Sequence, residues 1–307
     1  MNVESRNIGL VLSGGGVRGM AHIGLIKALR EEGIEAGRVA GTSAGALVGA
    51  LYAADYSTED MLKFFREAPL FHYNYFTINK PGFIDTDRYI KLLRAYFPGG
   101  TFDSLNRSLY VVATDLLEGE ERVFREGPLI RPLLASAALT PVFSPVLIGK
   151  KLYADGGILN NFPKEYLEGE CDFLIGSNVT SAGQVELKDL RNPLQVTGRV
   201  SSLMLYSSHH RKLRQCDIWI EPRELDNIGI LDKRRIEKAF EIGYREGKTA
   251  IGHYAERLSS GQSHSTTPAK DDAYSAEGVR DAISGDRERS TGSGTKGIQL
   301  PESARKP

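Results

Sequence analysis

Along the chain, short apolar runs alternate with stretches in which apolar residues return every three or four positions, and glycine-rich breaks separate the two. Ile8 to Leu12 is a continuous apolar run of strand length, cut off by the glycines after it. From Met20 to Glu32, Ile23, Ile26, Ala28 and Leu29 fall at helical spacing, and Gly33 supplies the stop. Arg38 to Ala40 predicts a second short strand, Gly41 to Gly45 a tight turn, and Ala46 onward a helix of small residues. Asp87 to Tyr96 reads as a helix ending before Pro98. "LYVVAT", Leu109 to Thr114, is the strongest buried strand, with Val123 to Phe124 as its partner. Leu129 to Ala138 predicts a helix whose Pro132 sits in the first turn, where its missing N–H has no helical acceptor to lose. Leu152 to Ala154, Phe173 to Asn178 and "CDIWIEP" are further strands, and Val200 to Leu213 and Arg235 to Leu258 are the best helices of the last third. Such alternation predicts an α/β protein, with a mostly parallel central sheet and helices on both faces.

Two segments break the pattern. Between Pro69 and Gly82, the aromatics Phe71, Tyr73, Tyr75 and Phe76 cluster without clean periodicity, as core residues or as a cap or groove wall. From Ser259 the chain turns to Ser, Gly, Thr, Lys and Asp with almost no apolar side chains, so 259–307 is expected to be a disordered tail. The expected organisation is one α/β domain over 8–185, a helical extension over 186–258 packed on it, and the tail.

Composition narrows the classes. The 307 residues are 41% hydrophobic and 25% charged, which suffices for a sizeable core. The 39 basic and 39 acidic residues cancel, so nothing in the global balance predicts nucleic-acid binding or attraction to an anionic bilayer, and any lipid contact must be local. Cys171 and Cys216 have neither the spacing nor the company of a disulfide framework or a zinc site, and read as free thiols of a reducing compartment. MNVESRN lacks the basic start and apolar stretch of a secretory leader, and the apolar run Ala44 to Ala54 is far short of the about 20 residues that cross a bilayer. The expected location is the cytoplasm, with room for a peripheral contact at a membrane surface.

The candidate chemistry lies in three glycine-rich turns. "GTSAG", Gly41 to Gly45, fits the G-x-S-x-G elbow that holds a nucleophilic serine, Ser43, on a sharp strand-to-helix turn. No histidine is placed to serve it: His209 and His210 lie in a polar stretch, His253 inside the last helix, His264 in the tail, and His72 interrupts the wrong element, while His22 sits beside the first glycine loop. The better base is Asp155 in "YADGGILNNFP". There Gly156 and Gly157 permit close backbone approach, Asn160 and Asn161 can tie the loop by side-chain hydrogen bonds, and a raised proton affinity would let the carboxylate act on a hydroxyl directly.

The third turn, "LSGGGVRGMAHIG", contains a G-x-G-x-x-G from Gly14 to Gly19, the spacing of a dinucleotide fingerprint. That reading needs an acidic residue closing the next strand, which here runs instead into Gly41-Thr42-Ser43; no Lys-Ser/Thr pair follows to make a Walker loop either. What remains is a set of backbone amides at a helix start with Arg18 beside them, suited to the oxyanion of an acyl-transfer intermediate.

With "GGGVRGMAHIG", "GTSAGAL", "YVVATDLLEGEERVF", "ASAALTPVFSPV" and "DGGILNNFP" in this order, the stretch from about Ile8 to Cys171 resembles the patatin-like phospholipases, Ser–Asp dyad lipid acyl hydrolases. The resemblance implies a three-layer patatin-like fold, Ser43 as nucleophile, Asp155 as its activating base, and an oxyanion hole from Gly14, Gly15, Gly16 and Arg18. Gly19, Gly41, Gly45, Gly156 and Gly157 complete the motifs. It further implies lipid-ester substrates, phospholipids or lysophospholipids, and no metal or organic cofactor. The alternative is a catalytically silent lipid-binding or regulatory module on the same fold.

Overall fold

The first apolar run becomes β1 (Ile8–Leu12), an inner strand of the sheet in a computed structural model of the chain. The structure describes residues 7–69, 73–181 and 211–260, with shorter pieces between 183 and 206. On one side β1 pairs in parallel with β2 (Arg38–Thr42), which pairs in parallel with β3 (Ser108–Asp115). On the other it pairs with β7 (Phe173–Ser177), followed by β8 (Ile218–Ile220), again in parallel. Beyond β3 the sense reverses: β4 (Glu120–Phe124) and β6 (Lys151–Asp155) both run antiparallel to it, and β5 (Val146–Ile148) pairs antiparallel with β6.

The register at β3 decides where chemistry can occur. Thr114 pairs with both Glu121 and Ala154, so β4 and β6 lie on opposite edges of β3; Val112 pairs with both Thr42 and Val123, so β2 and β4 do too. β2 and β6 therefore occupy the same edge of β3, end to end. One stops at Thr42 opposite Val112 and the other at Asp155 opposite Ala113, each pointing its C-terminal end at the other.

Strand residues alternate between two apolar layers, which is why the runs look continuous in sequence. Leu10, Leu12, Val39, Leu109, Val111 and Ile175 face one layer, and Val11, Ala40, Tyr110 and Leu174 the other. The first layer packs under α1 (Met20–Glu31), α2 (Ala44–Ala53), α3 (Thr58–Glu67), α4 (Ile90–Tyr96), α5 (Ile130–Ser136) and α6 (Ile236–Ser259). The opposite layer is covered by Phe162 and Leu167, and by Leu213 and Cys216 from the helical turn at 211–213 and the bend after it. α6 and α1 meet backbone to backbone at Gly24 and Gly243, so this late helix is an integral part of the first layer.

The described elements match the sequence pattern closely, with two additions. β5 is three residues long, below the length at which alternation can be recognised. α3 carries a start signal in Ser57, whose Oγ accepts the N–H of Asp60 at 3.1 Å, three residues on. Most of the helix expected over Val200 to Leu213, His72, Phe71, His209, His210, and all but the first two residues of the expected tail lie outside the described residues.

Candidate active site

Ser43 is the residue between β2 and α2, with φ 55° and ψ −122°. A non-glycine residue in that region costs about 1–3 kcal/mol and persists only where its surroundings over-determine it. Here the surroundings are tight. The Ser43 N–H donates to Ser136 Oγ at 2.8 Å, a methyl on Gly45 would stand 2.3 Å from the Leu12 carbonyl, and one on Gly19 would stand 2.8 Å from Ala44 Cβ. The turn lifts Oγ out of the sheet while α2 begins immediately behind it, aiming its positive dipole end at the same point.

Asp155 arrives from the opposite direction along the lane shared by β2 and β6. Gly156 lets the chain turn there, for a Cβ at that position would lie 2.2 Å from the Val112 carbonyl. The Ser43 hydroxyl donates to Asp155 Oδ2 at 2.6 Å, and Asp155 Oδ1 accepts the Gly157 N–H at 2.8 Å. Thr114 Oγ1 donates to the Asp155 carbonyl at 2.9 Å, fixing the strand end. The carboxyl is only 5% exposed. Burial pushes its pKa up from 3.8 to about 6, against the opposing pull of the hydrogen bonds from Ser43 and Gly157. At neutral pH it is ionised, yet basic enough to take a proton.

The glycine loop lies beside this pair: a methyl on Gly14 would stand 3.1 Å from Ser43 Cβ. The structure divides the residues expected to form the oxyanion hole. The Gly14 N–H is already given to Asn161, to its carbonyl at 3.3 Å and its Oδ1 at 3.2 Å. The Arg18 guanidinium is already engaged: its Nε donates to the Ile228 carbonyl at 2.7 Å, its Nη2 to the Asp226 carbonyl at 3.3 Å, and Nη1 lies 3.6 Å from Asp226 Oδ1. Among the described residues no partner claims the N–H of Gly15 or Gly16. Gly16 (φ 59°) is indispensable where it stands, since a side chain there would meet the Ile230 carbonyl at 2.1 Å. That same carbonyl accepts the Val17 N–H at 2.8 Å. A strap of residues 226–233 is thus stitched onto the loop by Arg18 and Val17.

Among the described residues no histidine is hydrogen-bonded to Ser43 or Asp155. His22 is fully buried, with Nε2 donating to the Ser13 carbonyl at 2.8 Å and Nδ1 accepting from Ser177 Oγ at 2.8 Å. Burial pushes its pKa down to about 4, so the ring is neutral and props the loop from below. His253 is exposed on α6. Cys171 and Cys216 are unpaired thiols, and among the described residues no cluster of His, Cys, Asp and Glu has the arrangement of a metal site.

Ser43, Asp155 and Gly14 to Gly16 open into a cavity of about 590 Å³ with predominantly apolar walls. Leu47, Phe64, Phe65, Leu134, Phe143 and Ile230 are among the residues that line it. Sequence reading missed three contributors: Ser136, which fixes the elbow; the α3 wall; and the strap, whose residues lie far from every motif. Ser136 stands inside "ASAALTPVFSPV", so its position was marked although its role was not. The strap carries no signal, because it acts through backbone carbonyls.

A family model described as patatin-like phospholipase matches residues 10–167, just over half of the chain and both Ser43 and Asp155. The chain belongs to the patatin-like phospholipase family. An uncharacterized NTE family protein of Mycobacterium tuberculosis is 29% identical over 278 residues, covering 81% of this chain and 47% of its own length. Lysophospholipase NTE1 of Kluyveromyces lactis is 24% identical over 295 residues, 83% of this chain and 20% of its own. The chain therefore spans about half the length, or less, of these curated relatives. The crystal structure of VipD from Legionella pneumophila shares the fold, with a TM-score of 0.56 at 17% identity over 81% of this chain and 67% of VipD. The α/β architecture expected from the patatin-like motifs is thus found both in the sheet and in a solved relative. Among the described residues no helix is long and apolar enough to cross a membrane.

Proposed function

We propose that this patatin-like chain hydrolyses fatty-acyl esters of phospholipids or lysophospholipids through a Ser43–Asp155 dyad and an acyl-enzyme. One observation carries the reading. The Ser43 hydroxyl is hydrogen-bonded at 2.6 Å to a buried carboxylate whose pKa, about 6, suits a general base at neutral pH. As Ser43 Oγ attacks the ester carbonyl, its proton passes to Asp155 Oδ2, and the negative charge forms on the carbonyl oxygen beside the Gly15 and Gly16 amides and the start of α2. Collapse breaks the acyl–oxygen bond, and the leaving alcohol takes the proton from Asp155. Water then gives its proton to the same carboxylate as it attacks the acyl-serine, and the fatty acid departs with Ser43 reprotonated. The cavity supports a fatty acyl group, since each methylene buried among its walls contributes about 0.8 kcal/mol. Family membership and the name of the yeast relative point to the same substrates.

In this reading the oxyanion hole narrows to Gly15 and Gly16, while Gly14 and Arg18 hold the loop in shape. A fluorophosphonate probe tests the proposal. Covalent labelling and phospholipid hydrolysis, both lost in Ser43→Ala and in Asp155→Asn, are expected. A chain that never labels and releases no fatty acid is a silent lipid-binding module instead.

A further inference from the structure

The segment after α3 makes a short hairpin that buries Ile84 in the core and leaves its other large aliphatic and phenylalanine side chains in water. Phe76 and Ile84 face each other as an antiparallel bridge, Thr77 N–H donates to the Phe83 carbonyl at 3.0 Å, and Asp85 N–H donates to the Tyr75 carbonyl at 2.7 Å. Its outward side chains are Phe76, 57% exposed, Ile78, 98% exposed, and Phe83, 62% exposed. Three large apolar residues exposed within eight positions are an unfavourable way to meet water.

This hairpin hangs on the wall of the acyl cavity. Phe83 N–H donates to the Pro141 carbonyl at 3.0 Å and Ile84 N–H to the Val142 carbonyl at 2.9 Å, while Leu139, Thr140 and Phe143 of that same stretch line the cavity. Edge-on aromatic contacts continue the connection, Tyr75 against Tyr89 at 5.1 Å and Tyr89 against Phe143 at 6.0 Å. Two more cavity-lining side chains, Ile158 and Ile230, are 49% and 41% exposed. The apolar lining thus continues outward onto the surface. The one cation of the hairpin turn, Lys80, is paired with Asp85 and Asp87 at 2.6 Å each, so the turn offers apolar surface without a free positive charge.

We infer that the hairpin bearing Phe76, Ile78 and Phe83 seats the protein on the surface of a lipid bilayer, placing the cavity against the acyl chains it takes up. The inference rests on the lipid-ester reading for its choice of occupant: a bilayer is the one partner that both covers exposed apolar side chains and supplies what an adjoining acyl cavity would hold. Attachment of this kind depends on buried apolar area, and with Lys80 neutralised it is insensitive to salt.

The test uses the full chain carrying Ser43→Ala, so that no turnover alters the lipid, and phosphatidylcholine vesicles in a sedimentation assay. Binding is expected at physiological and at high salt, and adding Ile78→Asp with Phe83→Asp is expected to weaken it about tenfold or more. In the active chain the same pair should lower hydrolysis of vesicle phospholipid by a similar factor and leave turnover of a water-soluble short-chain ester unchanged, because neither residue lines the cavity. A chain that ignores the vesicles, or binds them equally well with both aspartates, overturns the inference. So does light scattering that shows a dimer dissolved by the double substitution, since the occupant is then a second copy. Sedimentation decides the docking question even if no ester is ever cleaved.

Discussion

Replacing Asp155 by Asn should make the protein more stable at neutral pH while stopping its chemistry, and the size of the gain follows from the site. Burial moves the Asp155 carboxyl from 3.8 to about 6. Between those values the folded chain retains a proton that the unfolded chain has released, so folding stability falls as pH rises through this window and levels off above it. About two pH units correspond to roughly 3 kcal/mol. Asn removes that loss without leaving polar atoms stranded: its oxygen accepts the Gly157 N–H, and its amide can donate to Ser43 Oγ. Urea denaturation of wild type and Asp155→Asn from pH 4 to 8 measures the difference. The two should be nearly equal near pH 4, with the variant ahead by up to about 3 kcal/mol above pH 6.5. His22 titrates in an overlapping range but is common to both chains and cancels. In the proposed mechanism the same proton governs activity, so wild-type kcat/KM should rise with pH through a midpoint near 6 and then reach a plateau. Parallel stability curves, or a kinetic midpoint more than a unit from the thermodynamic one, would refute the reasoning that a single buried carboxylate underlies both.

Other substitutions test the supports around the dyad. Ser43→Gly and Ser43→Ala should both be inactive, but the glycine chain should be about 1 kcal/mol the more stable because it relieves the φ of 55°; the reverse order in denaturation would remove the strained elbow. Gly16→Ala drives a methyl into the Ile230 carbonyl, and kcat should fall about 100-fold or more as the free amides move; unchanged turnover would clear the loop of a role at the oxyanion. Arg18→Met frees the strap, with a stability loss of about 2 kcal/mol and a raised KM for long-chain esters over short ones. An equal fall in kcat at every chain length would instead place Arg18 at the reacting oxygen.

The sequence by itself determined the elements and the chemical inventory. Apolar runs of strand length and helix-period stretches are local properties, so β1, β3, β7, α1 and the long α6 stand where the pattern places them. Glycine spacing is local too, because the sharp turn at Ser43 and the close passage at Gly156 each constrain only a few neighbouring residues. Tertiary structure decided what those residues meet. That Ser43 and Asp155 touch depends on β2 and β6 sharing one edge of β3 end to end, a register set by the packing of the whole sheet, which no motif encodes. Arg18 looked like a charge for the oxyanion because it adjoins three glycines in the chain. Its guanidinium is instead drawn to acceptors at Asp226 and Ile228, more than 200 positions away and invisible to local pattern. The carboxyl of Asp155 has an ordinary affinity for protons in the unfolded chain, and its pKa rises to about 6 only when the surrounding layers exclude water from it.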